Sequence, residues 1–159
     1  MTNDSNGIEN KNSNNSSQLP AAFIQKLVDN YRNNQLALIN QNMAMDDAHS
    51  IWFDLVTLKN FIAEIETEAL AIDPAVENKD LGIRFYYAAY SPEMQPPIPS
   101  NYSKKHTLVM VPTKKEEGLN YDFNPFQEEE GKALAVTGIA LAQNHGDLVP
   151  PGASIVESY

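Results

Sequence analysis

Phe23, Ile24, Leu27, Val28 and Tyr31 recur at the three- and four-residue intervals of one helix face, and Pro20 ahead of them suits a first helical turn. The Asn33-Asn34 pair weakens this helix, while Leu36, Leu38 and Ile39 extend it by a turn or two. Residues 41–48 read as a connection. Ser50-Ile51-Trp52-Phe53 is short, aromatic and β-favouring, and Asp54 follows in an N-cap position. Leu55, Leu58, Phe61, Ile62, Ile65 and Ala69 then form an apolar stripe, with Lys59, Asn60, Glu64 and Glu66 outside it. This helix should stop before Asp73-Pro74, because the residue ahead of a proline avoids the α region.

Beyond that point the period changes to two. Residues 82–90 alternate Ile83, Phe85, Tyr87 and Ala89 on one face with Arg84, Tyr86, Ala88 and Tyr90 on the other. Residues 91–105 hold four prolines and predict a loop. Thr107 to Val111 is a strand-like run closed by Pro112, with the composition of a strand covered on both faces. A third helix is expected from Asn124-Pro125 to Gln143, with Gln127 placed as in a capping box and Gly146 and Pro150-Pro151 as its stop. Gly131, Ala135, Gly138 and Ala142 would form a small-residue stripe along it, suited to close packing on the sheet.

The order helix, strand, helix, strand, strand, helix predicts an α/β fold. The expectation is a small sandwich with three helices and a three-stranded mixed sheet, in which a right-handed β-α-β unit makes the first two strands parallel. The third strand returns antiparallel. Residues 20–159 read as a single α/β domain. Residues 1–19, with six Asn and four Ser, read as a disordered polar tail, since they bury too little to offset their ordering entropy.

Composition narrows the chemistry. The 159 residues contain no cysteine, which excludes disulfides, thiolate metal sites and cysteine nucleophiles. Eleven Lys and Arg against 21 Asp and Glu give a net charge of −10, which argues against a nucleic-acid or anionic-membrane partner. Mean hydropathy is −0.41, and no apolar run reaches membrane-spanning length. With no secretory or transit pattern at the start, the expected location is cytoplasmic. No phosphate-cradling glycine loop or nucleophile elbow is present, and no cofactor is expected.

Two candidate binding groups remain. Arg84, Tyr86 and Tyr90 share a strand face, with Trp52 on the neighbouring strand; an arginine beside aromatic rings can hold a carboxylate or phosphate. Asn144 and His145 follow the third helix, where the dipole favours a charged imidazole and Asp147 could orient it. The alternatives are a covered sheet face, with Arg84 satisfied by carbonyls or a glutamate, and a simple helix stop at Gly146. No metal site is expected: His49 begins the first strand and His106 begins one that runs the other way, which would set them at opposite edges of the sheet, about 15 Å apart. Asp46-Asp47, Lys104-Lys105 and Glu116-Glu117 read as solvated charge pairs.

Trp52-Phe53 before an amphipathic helix, Gly-Ile-Arg-x-Tyr-x-Ala-x-Tyr at 82–90, Val111-Pro112-Thr113, and Asn144-His145-Gly146 with Pro150-Pro151 form a pattern over roughly residues 50–152. It resembles a group of small uncharacterised bacterial proteins. The resemblance implies a bacterial cytoplasmic origin and carries no activity, cofactor or catalytic residue. The leading expectation is a non-enzymatic interaction or binding module, inhibitor- or adaptor-like, whose acidic surface docks a basic protein. One alternative is a small hydrolase or ligand-binding enzyme whose pocket joins Arg84, Tyr86 and Tyr90 to Asn144 and His145. Another is a homo-oligomeric scaffold with the small-residue stripe or a strand edge at a two-fold interface.

Overall fold

A computed structural model describes residues 17–93, 95–127, 138–152 and 155–159. Helix α1 (Ala21–Tyr31) runs through a π-helical turn (Arg32–Leu36) into α2 (Ala37–Met43). The Asn pair supplies a local cause for the wider turn. Asn34 Nδ2 donates to the Asn30 carbonyl at 2.6 Å, the acceptor that the Asn34 backbone N–H would use in a regular α-helix. The chain then leaves the helix through Ala44, whose left-handed backbone (φ 49°) returns its N–H to the Asn40 carbonyl.

Strand β1 (Ser50–Trp52) leads into α3 (Leu55–Ile72). Asp54 caps α3 by accepting the Thr57 N–H at 2.8 Å, and the helix ends ahead of Asp73-Pro74 as its sequence predicts. The apolar stripe buries Phe61, Ile65 and Ala69, whereas Leu55 and Ile62 stay exposed. Two long strands follow, β2 (Leu81–Ala89) and β3 (His106–Glu116), paired antiparallel from Leu81–Lys114 to Ala89–His106. β4 (Leu119–Asp122) then folds back on β3 through Glu117-Gly118. Both turn residues have positive φ, 49° and 81°, which matches the twist of a two-residue hairpin. β5 (Asp147–Val149) pairs antiparallel with β1.

The α/β class is therefore seen, with a different sheet plan. β1 does not join β2 in a parallel β-α-β unit. Its backbone edge is taken by β5, with Ser50 opposite Val149 and Trp52 opposite Asp147, so there is a two-stranded sheet and a separate β2-β3-β4 sheet, both antiparallel. The handedness rule for parallel crossovers applies only to strands of one sheet, and here the two strands are in different sheets. The third helix is corrected where it can be seen: Asn124–Gln127 form a turn, and Gly138–Gln143 are irregular, with Gln143 exchanging two backbone hydrogen bonds with Met110 at 2.9 Å. Residues 128–137, including Gly131 and Ala135 of the expected stripe, lie outside the described residues, as do residues 1–16 of the expected tail. Pro112 does not close β3 but sits within it, opposite Ile83. Its carbonyl accepts the Phe123 N–H, so its donor-less nitrogen lies on the same side, at the end of the short β4 pairing.

The core forms where α3 lies on the sheet. Phe61 and Ile65 meet Met110 and Leu141, with Phe53, Leu58, Leu81 and Ile83 around them. Each such side chain contributes on the order of 1.5–3 kcal/mol by leaving water. No helix among the described residues is long and apolar enough to cross a membrane.

Gly146 marks the tightest packing between the β1–β5 pair and this core. A Cβ there would stand 2.5 Å from Ile51 Cγ2 and 2.6 Å from the Phe53 ring. Gly146→Ala should therefore destabilise the fold by about 1–3 kcal/mol, read from the chemical-denaturation midpoint at unchanged slope. An unaltered midpoint would mean that β5 does not pack this closely.

Candidate functional site

The helix 21–43, β1 and one face of the β2–β3 sheet line a half-open cavity of about 720 Å³. Tyr31, Gln35 and Ile39 line it from the helix. A step of four residues overshoots an α turn of about 3.6 residues and falls short of a π turn, so the π segment offsets the drift and keeps all three on one side. The segment entering β1 contributes His49, Ser50 and Ile51, and the sheet contributes Tyr87 and Leu108, which are direct register partners, and His106. Most of this wall is hydrocarbon or aromatic. The polar groups gather at its two histidines.

His106 is fixed by Asp47. The Asp47 side chain is buried, and its Oδ1 accepts the backbone N–H groups of Ala48 at 2.8 Å and His106 at 2.7 Å. Its Oδ2 lies 2.6 Å from His106 Nδ1, so Nδ1 carries the proton of this bond. The Asp47 N–H is held in turn by Asn40 Oδ1 at 2.8 Å. Nearby, Lys105 donates to the Asp46 carbonyl. A buried carboxylate with three donors is a satisfied charge rather than a solvated one. The reading of Asp46-Asp47 as a solvated pair is thus corrected at Asp47.

With Nδ1 committed to Asp47, the His106 ring packs against Tyr31. The Tyr31 hydroxyl lies close to both ring nitrogens, 3.1 Å from Nε2 and 3.4 Å from Nδ1, and the rings meet edge to face at 5.9 Å and 75°. Burial first, and then the Asp47 charge, push the Tyr31 phenol above its ordinary pKa. Tyr31 is therefore a neutral hydroxyl against the His106 ring, and Tyr31, His106 and Asp47 form one polar cluster.

His49 belongs to a second group. Its Nδ1 is 3.1 Å from Glu157 Oε2, and the same oxygen receives Arg32 Nη2 at 3.2 Å. His49 and His106 thus line one cavity instead of standing at opposite sheet edges. That expectation failed because it depended on β1 and β2 being parallel neighbours. Among the described residues, no group of three or more His, Asp or Glu is arranged to hold a metal ion.

The residues singled out from sequence fall into separate places, none of them lining this cavity. Arg84 and Tyr86 both donate to Asp122 on β4, and Arg84 also reaches the Asn120 carbonyl at 3.0 Å. The Tyr86 hydroxyl, and then the Asp122 charge, raise the Arg84 pKa further above its usual value. Tyr90 donates to Asn144 Oδ1 at 2.9 Å, and Asn144 Nδ2 bonds Thr107 Oγ1 and the Leu108 carbonyl, tying the chain before β5 to β3. His145 is exposed beside Gln143, at 3.0 Å, and does not cap a helix. Trp52 is half-exposed on β1, opposite Asp147 rather than beside β2. Sequence reasoning missed Tyr31, Asp47 and His106 as a unit. Asp47 two residues ahead of His49, at the entrance to a strand, was the available signal.

The chain matches no protein-family model, no curated protein and no solved structure.

Ultraviolet titration of the tyrosines checks the environment of Tyr31. Tyr31→Phe should remove an ionisation that occurs above pH 10, leaving the lower part of the curve unchanged. The folded state holds this proton more tightly than the unfolded chain. Its contribution to stability is therefore present below pH about 10 and is lost as pH rises through the raised folded value. Loss of a phase at or below pH 10 would contradict the described burial.

Proposed function

We propose that this protein binds a small amphipathic molecule in the cavity between the helix 21–43, β1 and the sheet. Apolar walls from Ile39, Ile51 and Leu108 take the ligand body, and the polar side chains of the wall, Tyr31, His49 and His106, take its polar group. The observation that carries this reading is the buried Asp47 fixing a histidine at the wall of a largely apolar cavity. Such a cavity, with few convergent polar groups, is the usual form of a small-molecule site. Tyr31 and His106 can exchange a proton with a bound polar group, so acid–base chemistry is open to the site. Ser50 also lines the cavity, but among the described residues no hydrogen bond joins its hydroxyl to His106, as a serine nucleophile would need, so ligand binding is favoured over hydrolysis.

A second reading keeps the docking of a basic protein partner, or self-association, as the function. It is supported by the net charge of −10 and by the exposed aromatic row of β2, where Phe85 is 54% and Tyr87 92% exposed. A bacterial cytoplasmic setting, carried by the resemblance alone, is compatible with either reading.

The test is an NMR screen of small amphipathic molecules against the full chain, followed by Ser50→Trp, which fills the cavity. Hits should shift the amides of Ser50, Ile51 and His106 and lose at least about tenfold in affinity in the variant, a difference of about 1.4 kcal/mol. Hits that map elsewhere and ignore Ser50→Trp would defeat the ligand-binding reading. If Tyr87→Ser then lowered the mass seen by light scattering, the self-association reading would replace it.

A further inference from the structure

His49 and Arg32 converge on a single oxygen of a carboxylate supplied by this chain itself. Glu157 Oε2 lies 3.1 Å from His49 Nδ1 and 3.2 Å from Arg32 Nη2. Of the five N–H donors of a guanidinium, this contact engages one end only, and Arg32 Nε is buried with no hydrogen-bond partner among the described residues. A carboxylate approaching Arg32 side-on would engage Nε and Nη2 together, a bidentate geometry that the Glu157 contact does not reach. The basic pair is thus incompletely satisfied by its present occupant.

The position of the pair adds to this. His49 lines the cavity, and Arg32, which is not among its lining residues, meets the same Glu157 oxygen as His49. Glu157 comes from residues 155–159, which belong to no helix or strand. The occupant is therefore carried on a segment without backbone pairing, while the basic pair is carried on the helix and at the entrance to β1.

We propose that Arg32 and His49 form a carboxylate subsite of the cavity, and that Glu157 is an internal occupant which a ligand carboxylate displaces. This rests on the ligand-binding reading above and names its ligand class: a monocarboxylic acid with an apolar body long enough to lie along Ile39, Ile51 and Leu108. The net charge of −10 does not forbid an anion here. Charges beyond about 8 Å are largely screened at physiological salt, so the acidic surface at large does not set the potential at Arg32 and His49. Displacement also leaves no acid fully buried, because the Glu157 side chain is already 23% exposed on a segment outside any helix or strand.

The experiment titrates octanoate and, separately, 1-octanol into the full chain and into Glu157→Ala and Arg32→Gln, following binding by calorimetry and by the His49 ring resonances. Octanoate should bind Glu157→Ala on the order of tenfold more tightly than the unaltered chain, and Arg32→Gln more weakly than either. Octanol should bind all three alike. Equal octanoate affinity for the unaltered chain and Glu157→Ala would overturn the subsite. If octanol binds while octanoate gains nothing from Glu157→Ala, the subsite fails and the cavity reading stands. If neither probe binds any of the three, both fail together. Circular dichroism of the variants separates loss of the site from loss of the fold.

Discussion

Asp47 ties together parts of the chain that no regular pairing joins. Its carboxylate accepts the backbone N–H of Ala48, at the exit from the helix 21–43, and both the backbone N–H and the imidazole of His106, the first residue of β3. The helix exit and the start of the long central strand are thereby fixed to one buried charge. β1 begins three residues later, so the position of the two-stranded sheet relative to the three-stranded one depends on the same point. Removing one partner of such a buried pair typically costs about 3–5 kcal/mol, a large part of the stability of a small domain.

That constraint also shapes the cavity. With His106 held by Nδ1, its ring packs against the Tyr31 hydroxyl, and Tyr31 is on the helix just ahead of the π turn. The π turn lets Tyr31, Gln35 and Ile39 share one wall. The Asn34 side-chain bond, the burial of Asp47 and the chemistry at His106 are therefore parts of one arrangement. Its geometry suits holding a polar group against an apolar wall, and the adjacent Arg32–His49–Glu157 contact extends it with a basic pair.

Much of the fold was legible because some signals are local. The stripe from Phe61 to Ala69, the Asp54 cap and the Asp73-Pro74 stop depend only on neighbours a few residues away, and α3 formed as they dictate. Alternation along 82–90 sorted the faces of β2: Ile83 packs on the core and Tyr87 meets the cavity, while Arg84 and Tyr86 turn to Asp122. What failed was pairing. β5 has three residues followed by prolines, too short to show a period, so β1 was assigned to the wrong sheet. That error separated His49 from His106 in the expected geometry. β4 did leave a mark, since Gly118 stands in a two-residue turn, but Glu117 takes the position where Asn or Asp usually signals a hairpin. Asp47 was unreadable for a different reason. An aspartate in a polar connection looks solvated until a donor 59 residues away is brought to it.

The link between Asp47 and His106 is tested most directly by nitrogen-15 NMR of the histidine rings in the unaltered chain and in Asp47→Asn. The His106 Nδ1 proton should exchange slowly and resonate downfield, and Asp47→Asn should abolish that signal together with a stability loss of at least about 2 kcal/mol. A His106 ring that exchanges freely with solvent in both proteins, at equal stability, would contradict it.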